Sequence, residues 1–163
     1  MPFSIERHLW TEEDFEQMGW HDARVWGLAF IQESSEFLLD LDYVLEWIAP
    51  KDGERHYTFW TVPATLIFEN VVDLHLDLEP FSDFSIAGIA RSDPGVPRNA
   101  ASIGKDKDWL WQIDCHVGSI RFRSVGYKQY LRGAPILSTT QYLPLDQRGG
   151  VSFARTERRE AAV

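Results

Sequence analysis

Residues 36–48 read EFLLDLDYVLEWI. Phe37, Leu39, Leu41, Tyr43, Leu45 and Trp47 take one set of alternate places, and Leu38, Asp40, Asp42, Val44 and Glu46 take the other. A helix returns its apolar residues every third or fourth place. A return at every second place is the period of extended chain, whose successive side chains point to opposite faces. The stretch therefore reads as a strand with its acids turned away from the core.

The same rhythm spreads outward in both directions. RVWGLAFIQ (24–32) precedes it across a Ser34-Ser35 turn, and RHYTFWTV (55–62) follows across PKDGE (50–54), where Asp52-Gly53 is the tightest part. ATLIFENV (64–71), VDLHLDLE (72–79) and FSDFSIAGIAR (81–91) continue it. Between them Pro63, which has no amide to donate, marks an edge, a bulge or the start of a new strand. Residues 92–108, rich in turn formers and charge, read as a long loop. WLWQIDCHVGSIRFRSVGY (109–127) reads as a hairpin with Trp109, Trp111, Ile113 and Cys115 facing inward beside Ile120 and Phe122. A turn centred on Val117-Gly118 sets Asp114 opposite Arg121 and Gln112 opposite Arg123. APILSTTQYLP (134–144) adds a last strand.

Only LWTEEDFEQMG (9–19) breaks the pattern. Thr11 is a helix N-cap, Asp14 stands at the capping-box position and Gly19 ends the helix. The sum is a mainly β chain. Eight or nine strands form an antiparallel meander with one short N-terminal helix. A sheet of that size must hide its apolar face in a barrel or a two-layer sandwich. Residues 1–145 form a single β-rich domain, and residues 146–163 a flexible tail with little to bury. Trp26, Trp47, Trp60, Trp109 and Trp111 fall at alternating strand places and are expected in the core.

The chain has 163 residues, 44% of them hydrophobic, with 7 Trp, 5 Tyr and 10 Phe, enough for one ordinary core. Its single cysteine, Cys115, excludes an internal disulfide and fits a reducing compartment. The opening residues lack the apolar core of a signal peptide, and no window approaches 18 apolar residues, so a cytoplasmic protein without a membrane partner is expected. The net charge of −9 is uneven: residues 1–90 carry 18 acidic and 4 basic side chains, residues 91–163 carry 7 acidic and 12 basic. An acidic body argues against nucleic acid, whose affinity comes from neutralised phosphates.

WHDARVWGLAF (20–30), VPATLIFENVVDLHLDLE (62–79) and WLWQIDCHVGSIRFRSVGY, in this order, resemble a group of small uncharacterised bacterial β-rich proteins. That group has a distant likeness to predicted immunity proteins of polymorphic toxin systems. The resemblance spans residues 18–137. It implies a β-rich single domain and brings no established chemistry and no catalytic residue.

Chemistry is sparse. The doublet His21-Asp22 stands before the first long strand; Asp22 is expected to accept from backbone amides in a turn and His21 to cap it or face solvent. Asp73, His75, Asp77 and Glu79 share one face of one strand. One row on one strand faces water more often than it holds an ion. Cys115 and His116 are neighbours on a strand and point to opposite faces, so they cannot pair as nucleophile and base. No zinc-type spacing, glycine-rich phosphate loop or G-x-S-x-G elbow occurs. The expectation is no catalytic residue, no cofactor and no metal. The function is binding, with a protein partner or self-association, possible contacts being His21, Asp22, Asp73, His75 and Asp77. An immunity-like inhibitor of a basic toxin is one form of it. The alternative is a small-ligand barrel or cryptic enzyme with a pocket using His21, Asp22 or His75.

Overall fold

The computed structural model describes residues 3–79 and 82–155. Its strands are β1 (Leu9–Thr11), β2 (Arg24–Ile31), β3 (Glu36–Ile48), β4 (Thr58–Glu69), β5 (Val72–Leu78), β6 (Ile86–Gly95), β7 (Asp108–Cys115), β8 (Gly118–Ser124), β9 (Gly126–Leu131) and β10 (Ile136–Ser138). They form two antiparallel sheets, one in the order β1-β9-β4-β3-β2 with β10 also on β4, the other β5-β8-β7-β6. Neither sheet closes on itself, so the fold is a two-layer sandwich and not a barrel. β2-β3-β4 and β6-β7-β8 are meanders, as expected. The pairs β4-β9, β5-β8 and β1-β9 are not sequence neighbours and depart from a simple meander.

The core lies between the sheets. Phe37, Leu39 and Leu41 of β3 and Val62, Ala64, Leu66 and Phe68 of β4 meet Trp111 and Ile113 of β7 and Ile120 and Phe122 of β8. Phe68 is its hub, 4.7 Å from the Phe122 ring, 5.2 Å from Trp111 and 5.7 Å from Tyr127 between centroids, all in edge-on geometries that suit aromatic quadrupoles.

Pro63 lies inside one continuous strand rather than at a strand end. Its carbonyl accepts from the Arg132 amide at 2.8 Å. Its amide position faces the same side, where β9 pairs only from Ala64 onward and β10 only up to Thr61. The missing donor falls in the gap between two neighbours. The hairpin turns one residue earlier than expected, which moves the pairing by two: Gln112 faces Arg121 and Asp114 faces Ser119. A shift of two preserves the faces, so Trp111, Ile113, Ile120 and Phe122 remain inward.

The N-terminal segment is a 3-10 helix, Glu12–Gln17, not an α-helix, and Met18 rather than Gly19 is its C-cap. The capping box of Thr11 and Asp14 is present. Phe15 wedges against Trp20 and Trp111, which holds the tight turn to the core. The two α-helices among the described residues are short and lie elsewhere, α1 (Ala100–Ile103) and α2 (Leu145–Arg148). The expected loop of 92–108 is shorter at its start, since β6 runs to Gly95, and it contains α1.

β3 is buried on both faces: Leu38, Asp40 and Asp42 are as enclosed as Leu39 and Leu41. The cover is the chain after β10. The expectation of a tail from Asp146 with little to bury does not describe residues 146–155, because Arg148 is buried beneath this cover; residues 156–163 lie outside the described part. Gly27 permits the close approach, since a Cβ there would meet Val151 at 3.1 Å and Phe153 at 3.2 Å. β2, β5 and β6 lie at sheet edges and each carries a bulge, a feature that discourages edge-to-edge pairing.

Candidate functional site

The sheets are stitched together at one end by the residues around the His-Asp doublet. The Asp22 amide donates to the Ile86 carbonyl at 2.8 Å, Ile86 donates to Ala23 at 2.9 Å and Val25 to Phe84 at 2.7 Å. Asp22 has φ 64°, the left-handed region, which aspartate tolerates better than most residues. That turn aims its carboxylate at the seam. It accepts from Gln141 Nε2 at 2.8 Å, and lies 3.3 Å from His21 Nε2 and 3.7 Å from His116 Nε2. The expected bonds to backbone amides are replaced by these side-chain partners. His21 is exposed, meets the Ala87 carbonyl through Nδ1 at 3.2 Å and stacks on Trp47 at 6.1 Å.

Beside this cluster opens a groove of about 470 Å³. Asp22, Arg24, Asp83 and Ser85 line one side, Trp47, Arg55, His56, Tyr57 and Phe59 another, and Thr139–Tyr142 the third. Trp47 is 42% exposed and Tyr57 49%. The Trp47 ring stands 5.1 Å from Phe59 and 6.3 Å from Tyr57, so the rim is a continuous aromatic shelf.

Trp47 reaches this rim because of a bulge. Val44 pairs with Thr61, yet Trp47 pairs with Phe59, so one extra residue sits in β3 between them. The insertion moves Trp47 from the face of Leu39 and Leu41 to that of Asp42. Trp26, at the bulge of β2, likewise leaves the core and donates to Asp42 Oδ2 at 2.7 Å. Of the five tryptophans expected inside, Trp111 is fully buried, Trp26, Trp60 and Trp109 are half-buried, and Trp47 is exposed.

The third wall is held by buried charge. Leu143 donates its amide to Asp42 Oδ2 at 2.8 Å. Arg148 donates Nε to Asp42 at 2.9 Å and both Nη atoms to Asp40 at 2.9 and 2.7 Å. Arg132 adds a bond to Asp40 at 2.7 Å and one to Thr65 at 2.6 Å. Burial works against the Arg148 charge, but Asp40 and Asp42 outweigh it and hold its pKa above the ordinary value. Asp40 and Asp42 were expected to face solvent; two arginines from beyond β9 make their burial tolerable.

No family model, curated protein or solved structure matches the chain.

The remaining expected contacts lie apart from the groove. Asp73, His75 and Asp77 are exposed on β5, with Asp73 in its bulge at φ 54° and His75 paired opposite Arg121. Asp77 lines a second, open hollow of about 390 Å³ with Glu79, Ser82, His116 and Ser119. His116 touches both regions, through Asp22 on one side and this hollow on the other. Among the described residues no group of three or more His, Cys, Asp or Glu is placed to hold a metal ion, and no helix is long and apolar enough to cross a membrane. Burial, aided by the Asp114 charge, pushes the Cys115 thiol up to about 11, far from the thiolate range a nucleophile needs. Sequence reasoning missed Arg24, Trp47, Arg55, Tyr57, Gln141 and Tyr142. The run Arg55-His56-Tyr57 was the available signal, being polar and aromatic where a strand was expected.

Proposed function

We propose that this chain is a binding domain whose partner is a protein engaged at the seam groove. The observation that carries the reading is the exposed Trp47–Tyr57 shelf with Arg24, Arg55 and Tyr142 around one concave site. Trp, Tyr and Arg are the residue types that dominate the energy of protein interfaces, and they do so from rigid, partly enclosed positions. Here β3 supplies Trp47, the residue just before β4 supplies Tyr57, and the Asp42–Leu143 bond fixes the opposite wall.

An immunity-like inhibitor is the form this takes if the partner is a basic toxin. The exposed acids of residues 33–79, among them Asp73, Asp77 and Glu79, are then the ones that steer such a partner, since Asp40 and Asp42 are committed to Arg148 and Arg132. A free small molecule in the groove is the second reading, favoured by Asp22, which lines the cavity.

Site-specific photo-crosslinking separates these. A benzophenone amino acid replaces Thr139 at the groove wall, and separately Val96, which is 72% exposed and does not line the groove. A partner crosslinked from Thr139 and lost in Trp47→Ala/Tyr57→Ala supports the reading. Crosslinking only from Val96, or from neither position, sinks it.

A further inference from the structure

Arg24 stands in the groove with its guanidinium 4.0 Å from the Tyr142 ring and 5.5 Å from the Trp26 ring. Both rings lie near the cation, and the edge of its planar group carries the hydrogen-bond donors. On that edge Asp83 meets one Nη at 3.0 Å, with a side chain 77% exposed. The neighbouring Nε is buried and has no hydrogen-bond partner among the described residues. A buried donor left unsatisfied is costly, whereas an ion pair with one exposed partner holds weakly. Exposed Arg55 adds a second guanidinium to the lining. The other acid of the lining, Asp22, is already engaged by Gln141 and two imidazoles.

We infer that the groove receives a carboxylate carried beside an aromatic ring, of the kind a partner protein presents as a C-terminal Phe or Tyr. This deepens the binding reading above and rests on it. The incoming carboxylate replaces Asp83 and sits side-on across Nη and Nε of Arg24, satisfying both donors in a fork geometry that a single-oxygen contact lacks. Its ring lies against Trp47 and Tyr57, and Arg55 offsets its charge at the rim. Asp83 is thus a displaceable placeholder. Its removal strengthens binding, although it belongs to the site lining.

The test uses the full chain and two peptides, acetyl-Gly-Ser-Gly-Phe with a free carboxylate and the same peptide amidated. Nuclear magnetic resonance follows the Arg24 Nε–Hε and Trp47 indole signals. The free acid is expected to shift both saturably, with the amide at least about tenfold weaker, the size of one charge-assisted hydrogen bond. Arg24→Gln abolishes the difference between the two peptides. Asp83→Asn, at an exposed position where folding is not at stake, tightens the free acid about threefold or more. Equal binding of acid and amide overturns the carboxylate assignment and leaves the groove as a binding site. No shift from either peptide, in a protein that still crosslinks its partner from Thr139, also overturns it while sparing the wider reading. Weaker binding by Asp83→Asn overturns the placeholder role.

Discussion

Arg148 holds Asp40 with both terminal nitrogens, Nη1 to Oδ2 at 2.9 Å and Nη2 to Oδ1 at 2.7 Å, and neither side chain touches solvent. The two residues are 108 positions apart. Their bond turns what would be an exposed strand face into a third, polar layer beneath the C-terminal segment.

Removing one partner of such a pair strands the other. Arg148→Met leaves Asp40 and Asp42 buried without three of the seven hydrogen bonds they accept among the described residues, and is expected to lower stability by about 3–5 kcal/mol. Arg148→Lys recovers little of this, because an ammonium cannot span both carboxylates. Urea unfolding of the two variants measures it. A loss below about 1 kcal/mol in Arg148→Met contradicts the buried clamp.

Asp22 makes a backbone demand as well as a side-chain one. At φ 64°, Asn is expected to replace it within about 0.5 kcal/mol, whereas β-branched Val costs about 1–3 kcal/mol more. Thermal unfolding of Asp22→Asn and Asp22→Val gives the comparison. Equal loss in both variants means the strained turn carries no weight.

Cys115 supplies the alkaline test. Its folded pKa of about 11 stands above the ordinary 9.0, because burial disfavours the thiolate. The folded state therefore keeps its proton where the unfolded chain loses it. The resulting stability is fully present below about pH 9 and is lost as pH rises through about 11. Alkylation by iodoacetamide at pH 8 is expected to run roughly a hundredfold slower than for an ordinary thiol, following the thiolate fraction. Cys115→Ala should also lose this part of the alkaline slope. Alkylation at the rate of a free thiol rules the shift out.

Much of the fold was legible because hydrophobic alternation is a strong signal where it is unbroken. Phe37 to Tyr43, Val62 to Phe68 and Trp111 to Phe122 all face the core that their period demands. The period failed where it was locally interrupted. The extra residue in β3 put Trp47 outside, and no residue type near Leu45 announces a bulge. Asp40 and Asp42 misled for another reason. On a strand an acid reads as a solvent-facing residue until its partner is known, and Arg148 lies more than a hundred residues away. The site was half legible for the same cause. His21 and Asp22 mark the seam, but Arg24, Tyr57 and Gln141 meet there only after β4, β10 and the segment beyond it have taken their places.

The most direct measurement is the affinity of the Thr139-crosslinked partner for the intact domain and for Trp47→Ala/Tyr57→Ala. The groove reading expects a loss of at least about thirtyfold, or ~2 kcal/mol, the scale of an interface hot spot. Asp77→Lys on β5 is expected to change the association rate at low salt while leaving dissociation within about threefold. A double variant that binds as tightly as the unaltered chain contradicts the account.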